Sequence, residues 1–530
     1  MPPLEKPNHV TTVRLPSRSA QVAGESDILV VGGGPAGIGA ALGAADAGMN
    51  VILAEHYGFL GGNATAALTI PLSSFHSMEY REKLPGAPTL FPSDHGEGRP
   101  VIGGVLRRLV EKLVQEGGAI PPGPGTGYTV PFDPEVFKMV CLHLLDEAGV
   151  RFLFHSFASG VFLDQKMQGL RMHGVIFETK SGPLIIRAKV IIDCTGDGDV
   201  AAMAGAEYEI GREEDGLVQP MSLLFRIGEF EKKAFENYAK AHPDQWSGVH
   251  GLWDLIRKAH DEGHLDLPRE DILLFGMPHE NEVLVNSTRI AKVLGTDVWD
   301  LTYAEWEGRR QMKMITAFLR KYVPGFEKSY VVQSGVNTGV RETRRIMGEY
   351  KLTGEDILQA RRFEDVVARG AYPVDIHSPT GKGTVLKRVP PGEAYDIPLR
   401  CLLPLGLDRI LVAGRCISGT HEANSSYRVM PISIATGHAA GVCAGIAVRM
   451  GKKPKEVPFE EVRKELIRQG ADLGNVQCPR KRQKKRTAEY RMSNVEGKPA
   501  GASSCSRDFR RRRNRNQEVA PTVSTHLWDT

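Results

Sequence analysis

Three glycines near the start of the chain have the spacing to hold a phosphate. Gly32-x-Gly34-x-x-Gly37 follows the apolar run Asp27–Val31 and opens Ile38–Gly48, a segment of helical composition. Gly32 permits a tight turn, Gly34 has no Cβ to keep a pyrophosphate off the backbone, and Gly37 lets a helix pack on the strand. Pro35 and Ala36 occupy the first helical positions, where unpaired N–H groups and the positive end of the helix dipole attract an anion. Glu55 ends the next apolar run, 18 residues past Gly37, where a carboxylate can accept hydrogen bonds from ribose hydroxyls. Strand, turn, helix and terminal acid together predict a dinucleotide site; the alternative is a glycine-rich turn in some other α/β fold.

A second set of residues has the chemistry to hold an anion. Arg341, Arg344 and Arg345 flank Glu342, and guanidinium groups bind carboxylates and phosphates through paired N–H donors. The same cluster could instead be an ion-pair network joining two parts of the chain. The seven cysteines include no C-x-x-C and no metal-type pair, so neither a metal ligand set nor a dithiol relay is expected. No second glycine motif of comparable quality follows, which argues against a built-in nicotinamide nucleotide domain.

Several further motifs carry a resemblance. Gly61-Gly62-Asn63-Ala64-Thr65 follows Glu55 closely, Val190–Asp199 reads VIIDCTGDGD, and Leu411–Arg415 (LVAGR) precedes Ile434–Gly441 (IATGHAAG). Their order is similar to that of FAD proteins of the glutathione-reductase type, which include the flavoprotein subunits of fumarate reductase and succinate dehydrogenase. Arg341-Glu342-Thr343, His421-Glu422-Ala423 and Arg428–Pro431 (RVMP) resemble more closely the FAD-dependent oxidoreductase family, over about residues 27–455. The resemblance implies FAD as cofactor and contacts to it from Thr195, Gly196, Asp197, Gly437, His438 and Ala439. Where many flavoproteins have Gly-Asp, this chain has Gly414-Arg415, so Arg415 is expected to contact phosphate. The resemblance also places the loops that carry His421 and Arg428 near the flavin ring, as catalytic candidates, with His421 either a proton donor or acceptor or a hydrogen-bonded structural residue; Arg341, from the arginine cluster, is the third candidate, as a substrate contact. His76 would be a covalent flavin anchor only if its surroundings matched the succinate dehydrogenase motif, and Leu72–Met78 (LSSFHSM) does not.

These residues need elements to position them. Residues 1–26 read as a polar lead-in and 27–204 as the first part of a Rossmann-like FAD-binding domain, a three-layer ββα arrangement within the α/β class. Residues 75–130, rich in Gly and Pro, read as a long excursion. Asp133-Pro134-Glu135 predicts a helix start, with apolar positions at Phe137, Val140, Cys141, Leu144 and Leu145. Residues 205–400 have helical stretches such as Tyr303–Lys321 and no nucleotide loop, predicting an inserted α+β substrate or cap domain. Residues 401–455 return to the cofactor domain. Gly437, Gly441 and Gly445 share one helix face, for close approach to another backbone or to a flat ring. A terminal helix is expected at 456–477.

Charge separates the tail from the body. The net charge is +4, but residues 478–530 hold 14 Lys/Arg against 5 Asp/Glu, which leaves the body acidic. That tail reads as disordered, and nucleic acid is expected as a partner only through it. Met430–Val448 lacks charge but is rich in small residues, so no membrane span is expected. A reduced, cytoplasmic protein is expected, its partners a small-molecule substrate and an unknown electron donor or acceptor, with a homodimer left open. The expected activity is an FAD-dependent dehydrogenase or reductase acting by hydride transfer on a small organic, conceivably anionic, substrate. The alternatives are a flavin monooxygenase, or a flavoprotein acting on or docking to RNA through the tail.

Overall fold

The glycine-rich unit forms where the spacing places it. A computed structural model describes residues 6–7, 11–79, 90–92, 98–164, 171–380 and 383–474. In it β1 (Gln21–Val31) leads through the glycine turn to α1 (Pro35–Asp46) and β2 (Val51–Ala54). β1 begins inside the expected lead-in. Its first residues, Gln21, Val22 and Ala23, are exposed and pair only with β6 (Gly182–Asp193), so no hydrophobic pattern marks them.

The main sheet is built around β6. Its second half lies parallel to β1 and to the late strand Ile410–Val412, in the registers Ile28↔Val190 and Ile410↔Ile191. β2 and β3 (Arg151–Leu153) extend the parallel sheet beyond β1. The first half of β6 pairs antiparallel with β5 (Arg171–Thr179), which pairs with β4 (Phe157–Asp164). One long strand thus serves a parallel sheet and an antiparallel meander. The parallel segments are nearly unbroken runs of Val, Ile and Leu, as burial on both faces requires.

The face carrying α1 is closed by the helix Met430–Met450. A Cβ on Gly437 would lie 1.9 Å from Ala36 O, and one on Gly441 2.1 Å from Ala40 O. The shared glycine face therefore meets a backbone, not a flat ring. By length and composition this helix could cross a membrane, but it is a core helix, almost wholly buried inside the fold.

The excursion at 75–130 holds a helix that the sequence reading missed, α2 (Val105–Gln115), with Val105, Leu106, Leu109, Val110 and Leu113 buried at helical spacing. α3 (Pro134–Glu147) starts as expected: the Asp133 carboxylate accepts from Glu135 N at 2.7 Å and Val136 N at 3.2 Å. Residues 205–400 contribute a six-stranded antiparallel sheet, ordered Tyr330–Ser334, Phe225–Gly228, Val283–Val285, Ile272–Gly276, His250–Gly251 and Trp246–Ser247. It has its own core, including Phe225, Phe235, Trp246, Phe318 and Phe326. The helix Val298–Tyr322 supplies part of that core and starts a turn before the expected stretch, capped by Asp297. The terminal helix is Phe459–Arg468. The basic tail lies outside the described residues.

Candidate functional site

A cleft of about 570 Å³ runs along the glycine turn, with Gly32, Gly34, Pro35, Ala36 and Glu55 in its wall. Gly32 has φ +100°, and a Cβ there would lie 2.4 Å from Cys194 O. A Cβ on Gly37 would lie 1.8 Å from Gly32 O, so Gly37 serves helix–strand packing beneath the cleft. On Gly34, by contrast, a Cβ would meet only Gly62 Cα, at 3.6 Å; this is the open side. The N-cap Gly34 has no side-chain cap and the first turn of α1 has no acid, so that helix end is unneutralised at the cleft wall. An anion there satisfies both the orphan N–H groups and the dipole.

Glu55 is buried. Its Oε2 accepts from Gly33 N at 2.5 Å and its Oε1 from Tyr57 N at 2.9 Å. Oε1 also lies 2.8 Å from His56 Nδ1, which leaves Oε2 with a lone pair for a sugar hydroxyl. The second glycine pair shapes the same wall. Gly61 and Gly62 have φ +111° and +48°, and a Cβ on Gly62 would sit 2.8 Å from Gly34 Cα. Gly62 and Asn63 line the cleft, whereas Ala64 is buried behind them. Asn63 Nδ2 donates to Val340 O at 3.2 Å.

Thr195, Gly196, Asp197 and Arg415 form a further wall. The turn is held by Asp193, fully buried, whose Oδ1 accepts from Thr195 N (3.0 Å) and Thr195 Oγ1 (2.7 Å) and whose Oδ2 accepts from Ala201 N (2.9 Å). Burial pushes the Asp193 carboxyl up to about 6, against those hydrogen bonds. Arg415, expected to contact phosphate, also has a protein partner: Nη2 donates to Asp197 Oδ1 at 2.9 Å. Its Nη1 is buried with no partner among the described residues, and that donor remains for an anionic group in the cleft.

The helix Met430–Met450 reaches the cleft with its first turn, through Met430 and Ser433. Gly437, His438 and Ala439, expected as cofactor contacts, lie too deep to line it. His438 Nε2 is 2.7 Å from Gln469 Oε1, and burial pushes its imidazole down to about 4. His76 is likewise buried away from the lining, with its ring 5.7 Å from that of Tyr128.

The opposite wall was not foreseen. Thr296, Val298, Leu301 and Glu305 come from the start of the helix Val298–Tyr322, and Asn337 and Val340 from the loop after the inserted sheet. Tyr57 bridges the two sides, its hydroxyl donating to Asn337 Oδ1 at 2.6 Å. No local motif signals these residues, because they reach the cleft only through long-range packing.

The expected arginine cluster splits in three directions. Arg344 lines the cleft and donates to Asp197 O (3.1 Å) and Asp199 Oδ1 (2.8 Å). Arg345 is buried, with Nη1 on Glu342 and Nη2 on Gly211 O at 2.7 Å. Arg341 donates through Nη1 to Pro220 O at 2.5 Å and Ser222 Oγ at 2.9 Å. Burial, then the neighbouring Arg428 charge, pulls its guanidinium down to about 9. Ion pairs thus hold Arg344 and Arg345, whereas Arg341 has none among the described residues. His421 is not in a loop facing the cleft. It begins the helix His421–Tyr427, 5 % exposed, with Nδ1 2.8 Å from Glu342 Oε2. Arg428 does line the cleft.

Fold and site define a dinucleotide-binding flavoprotein. The family model for FAD dependent oxidoreductases matches residues 27–466, and the chain belongs to that family: it is an FAD-dependent enzyme. The residues present fit the cofactor, with an uncapped helix end, a buried acid and an orphaned Arg415 donor on one continuous cleft. No curated protein matches the chain. Among solved structures, a geranylgeranyl bacteriochlorophyll reductase-like protein from Thermoplasma acidophilum is 14% identical, with 84% of each chain covered and a TM-score of 0.39. p-Nitrophenol 4-monooxygenase from Pseudomonas putida DLL-E4 is 11% identical, over 84% of this chain and 85% of its own, at a TM-score of 0.39. A flavin-dependent brominase is 11% identical over 83% of each chain, at 0.41.

Proposed function

We propose that the enzyme is a dehydrogenase or reductase that exchanges a hydride between FAD and a small organic substrate at the Arg428 end of the cleft. The observation that carries this reading is the continuity of one cleft from the dinucleotide turn at Gly34 to Arg428 and Met430. Bound FAD supplies the two-electron redox chemistry. The chain's own residues bind and orient. The α1 N-terminus and Arg415 Nη1 hold phosphate, Glu55 holds the ribose, and the first turn of Met430–Met450 directs its dipole into the cleft.

A thiol relay is disfavoured by Cys194, which lines the cleft, and by Cys416 behind it. Both are buried free cysteines whose thiols burial pushes well above the ordinary range, whereas a relay needs an accessible thiolate. Direct exchange with a substrate fits better.

The test is anaerobic reduction of FAD-loaded protein by candidate substrates, followed by the flavin absorption band and reversed by an artificial acceptor. Folded protein that takes up no FAD sinks the reading. Incorporation of an oxygen atom from labelled O2 into product would replace hydride exchange by monooxygenation.

A further inference from the structure

Arg428 lines one end of the nucleotide cleft, and its neighbours Gln219 and Arg341 lie just outside that lining. The Arg428 side chain is mostly buried, and its contacts are long. Nη2 lies 3.4 Å from Gln219 Oε1, 3.5 Å from Asp375 O and 3.8 Å from Asp375 Oδ2. Arg428 Nε is buried with no partner among the described residues. Gln219 is 1 % exposed, and its Nε2 is also buried without a partner. Arg341, on the other side of Gln219–Ser222, makes neutral contacts only, to Pro220 O and Ser222 Oγ.

The carboxylate whose charge reaches both arginines is Asp375, and it is already engaged. Its Oδ2 accepts from the Tyr372 hydroxyl at 2.9 Å and lies 3.4 Å from His377 Nε2. A buried guanidinium charge is costly unless it is paired and its N–H groups are satisfied. What is missing is an acceptor. The Nε–H and Nη–H of Arg428 form a planar fork, and Gln219 Nε2 adds a donor beside it. A planar, singly charged acceptor suits a fork, and the nearby Asp375 charge works against a dianion such as phosphate. Gln219 is itself fixed from behind, because its backbone N–H donates to Glu342 Oε2 at 3.1 Å and Glu342 is held by Arg345 and His421.

We propose that Arg428, Gln219 and Arg341 form a carboxylate-binding subsite, so that the substrate is a small organic acid. The triad Glu342, Arg345 and His421 positions Gln219 and does not touch substrate. The assignment rests on the hydride-exchange reading, for which it supplies the substrate's handle.

The experiment titrates FAD-loaded protein with acetate, lactate, succinate and benzoate, each against its neutral amide, and with inorganic phosphate. Binding is read twice: by perturbation of the flavin absorption spectrum and by calorimetry, which needs no flavin signal. At least one acid is expected to bind in the micromolar to millimolar range, its amide tenfold or more weaker. Arg428→Gln and Arg341→Gln should each weaken that acid tenfold or more at unchanged FAD stoichiometry, and Arg428→Lys should fall between, keeping charge but losing the fork. If an arginine variant does not fold, Gln219→Leu removes one donor at constant charge and should weaken binding several-fold. Equal binding of acid and amide, binding indifferent to all these substitutions, phosphate binding tighter than every acid, or no acid binding at all overturns the subsite. Acid binding by calorimetry without FAD uptake would instead sink the hydride-exchange reading and leave the subsite standing.

Discussion

Backbone meets backbone where α1 crosses the helix Met430–Met450, whereas side chains do the joining around Glu342. At the crossing, Gly437 and Gly441 lie against Ala36 and Ala40 with no room for a Cβ, and these four residues carry no polar side chain. Around Glu342, its near neighbour Arg345, three residues on, and the distant His421, 79 residues on, converge on a carboxylate with no solvent exposure. The first kind of joint tolerates only small residues and is insensitive to charge. The second tolerates size better but fails when one charge is left alone.

That contrast is open to attack, and the largest effect is expected at Glu342. Glu342→Ala leaves the buried Arg345 guanidinium with only the longer contact to Glu209 Oε2, at 3.7 Å, among the described acids, and should cost about 3–5 kcal/mol, measured by urea denaturation. A loss under 1 kcal/mol would mean that water or another acid replaces it.

Asp193 tests charge beneath the turn. Its carboxyl is raised to about 6, so the folded state binds its proton more tightly than the unfolded chain does. The stabilisation is full below the unfolded value near 4 and is lost as pH rises past 6, about 3 kcal/mol in all. The stability difference between wild type and Asp193→Asn, measured by urea denaturation at pH 4.5 and 7.5, should therefore shift toward the variant at the higher pH. A pH-independent difference would show Asp193 ionised throughout.

Gly437→Ala should cost about 2 kcal/mol by forcing the two helices apart, with an effect independent of pH and salt. Any salt dependence would show that charged groups take part in this joint. The smallest effect is expected at Arg415. Arg415→Gln should weaken FAD roughly tenfold, as for one charged hydrogen bond, seen by flavin fluorescence titration. Unchanged affinity would mean that Asp197 takes all of that side chain's donor capacity.

The two kinds of joint also explain what the sequence reveals. The turn at Gly32–Gly37, Glu55, the Thr195–Asp197 segment and the spacing of Gly437 and Gly441 are local patterns, and local patterns survive without coordinates. FAD and the α/β class follow from them. The glycines did not say which surface they met; a ring and a backbone make the same demand for no Cβ. The far wall at Val298–Glu305 and Asn337, the partner of His421, and the long contacts of Arg428 depend on pairings across tens to hundreds of residues, which no spacing encodes. α2 was a different miss: its apolar spacing is plain at Val105–Leu113 and was masked by the glycines and prolines around it. The early start of β1 left no trace, because an exposed strand end needs no apolar side chains.

The late strand Ile410–Val412 has a consequence for how the protein comes into being. Its place beside β6 stays vacant through more than two hundred residues of synthesis, and α1 lacks its covering helix until Gly441 has been made. Pairings so distant in the chain are slow to close. A nascent chain emerging from the ribosome therefore carries its phosphate turn early, with one flank of the sheet and one face of α1 bare until its last hundred or so described residues arrive.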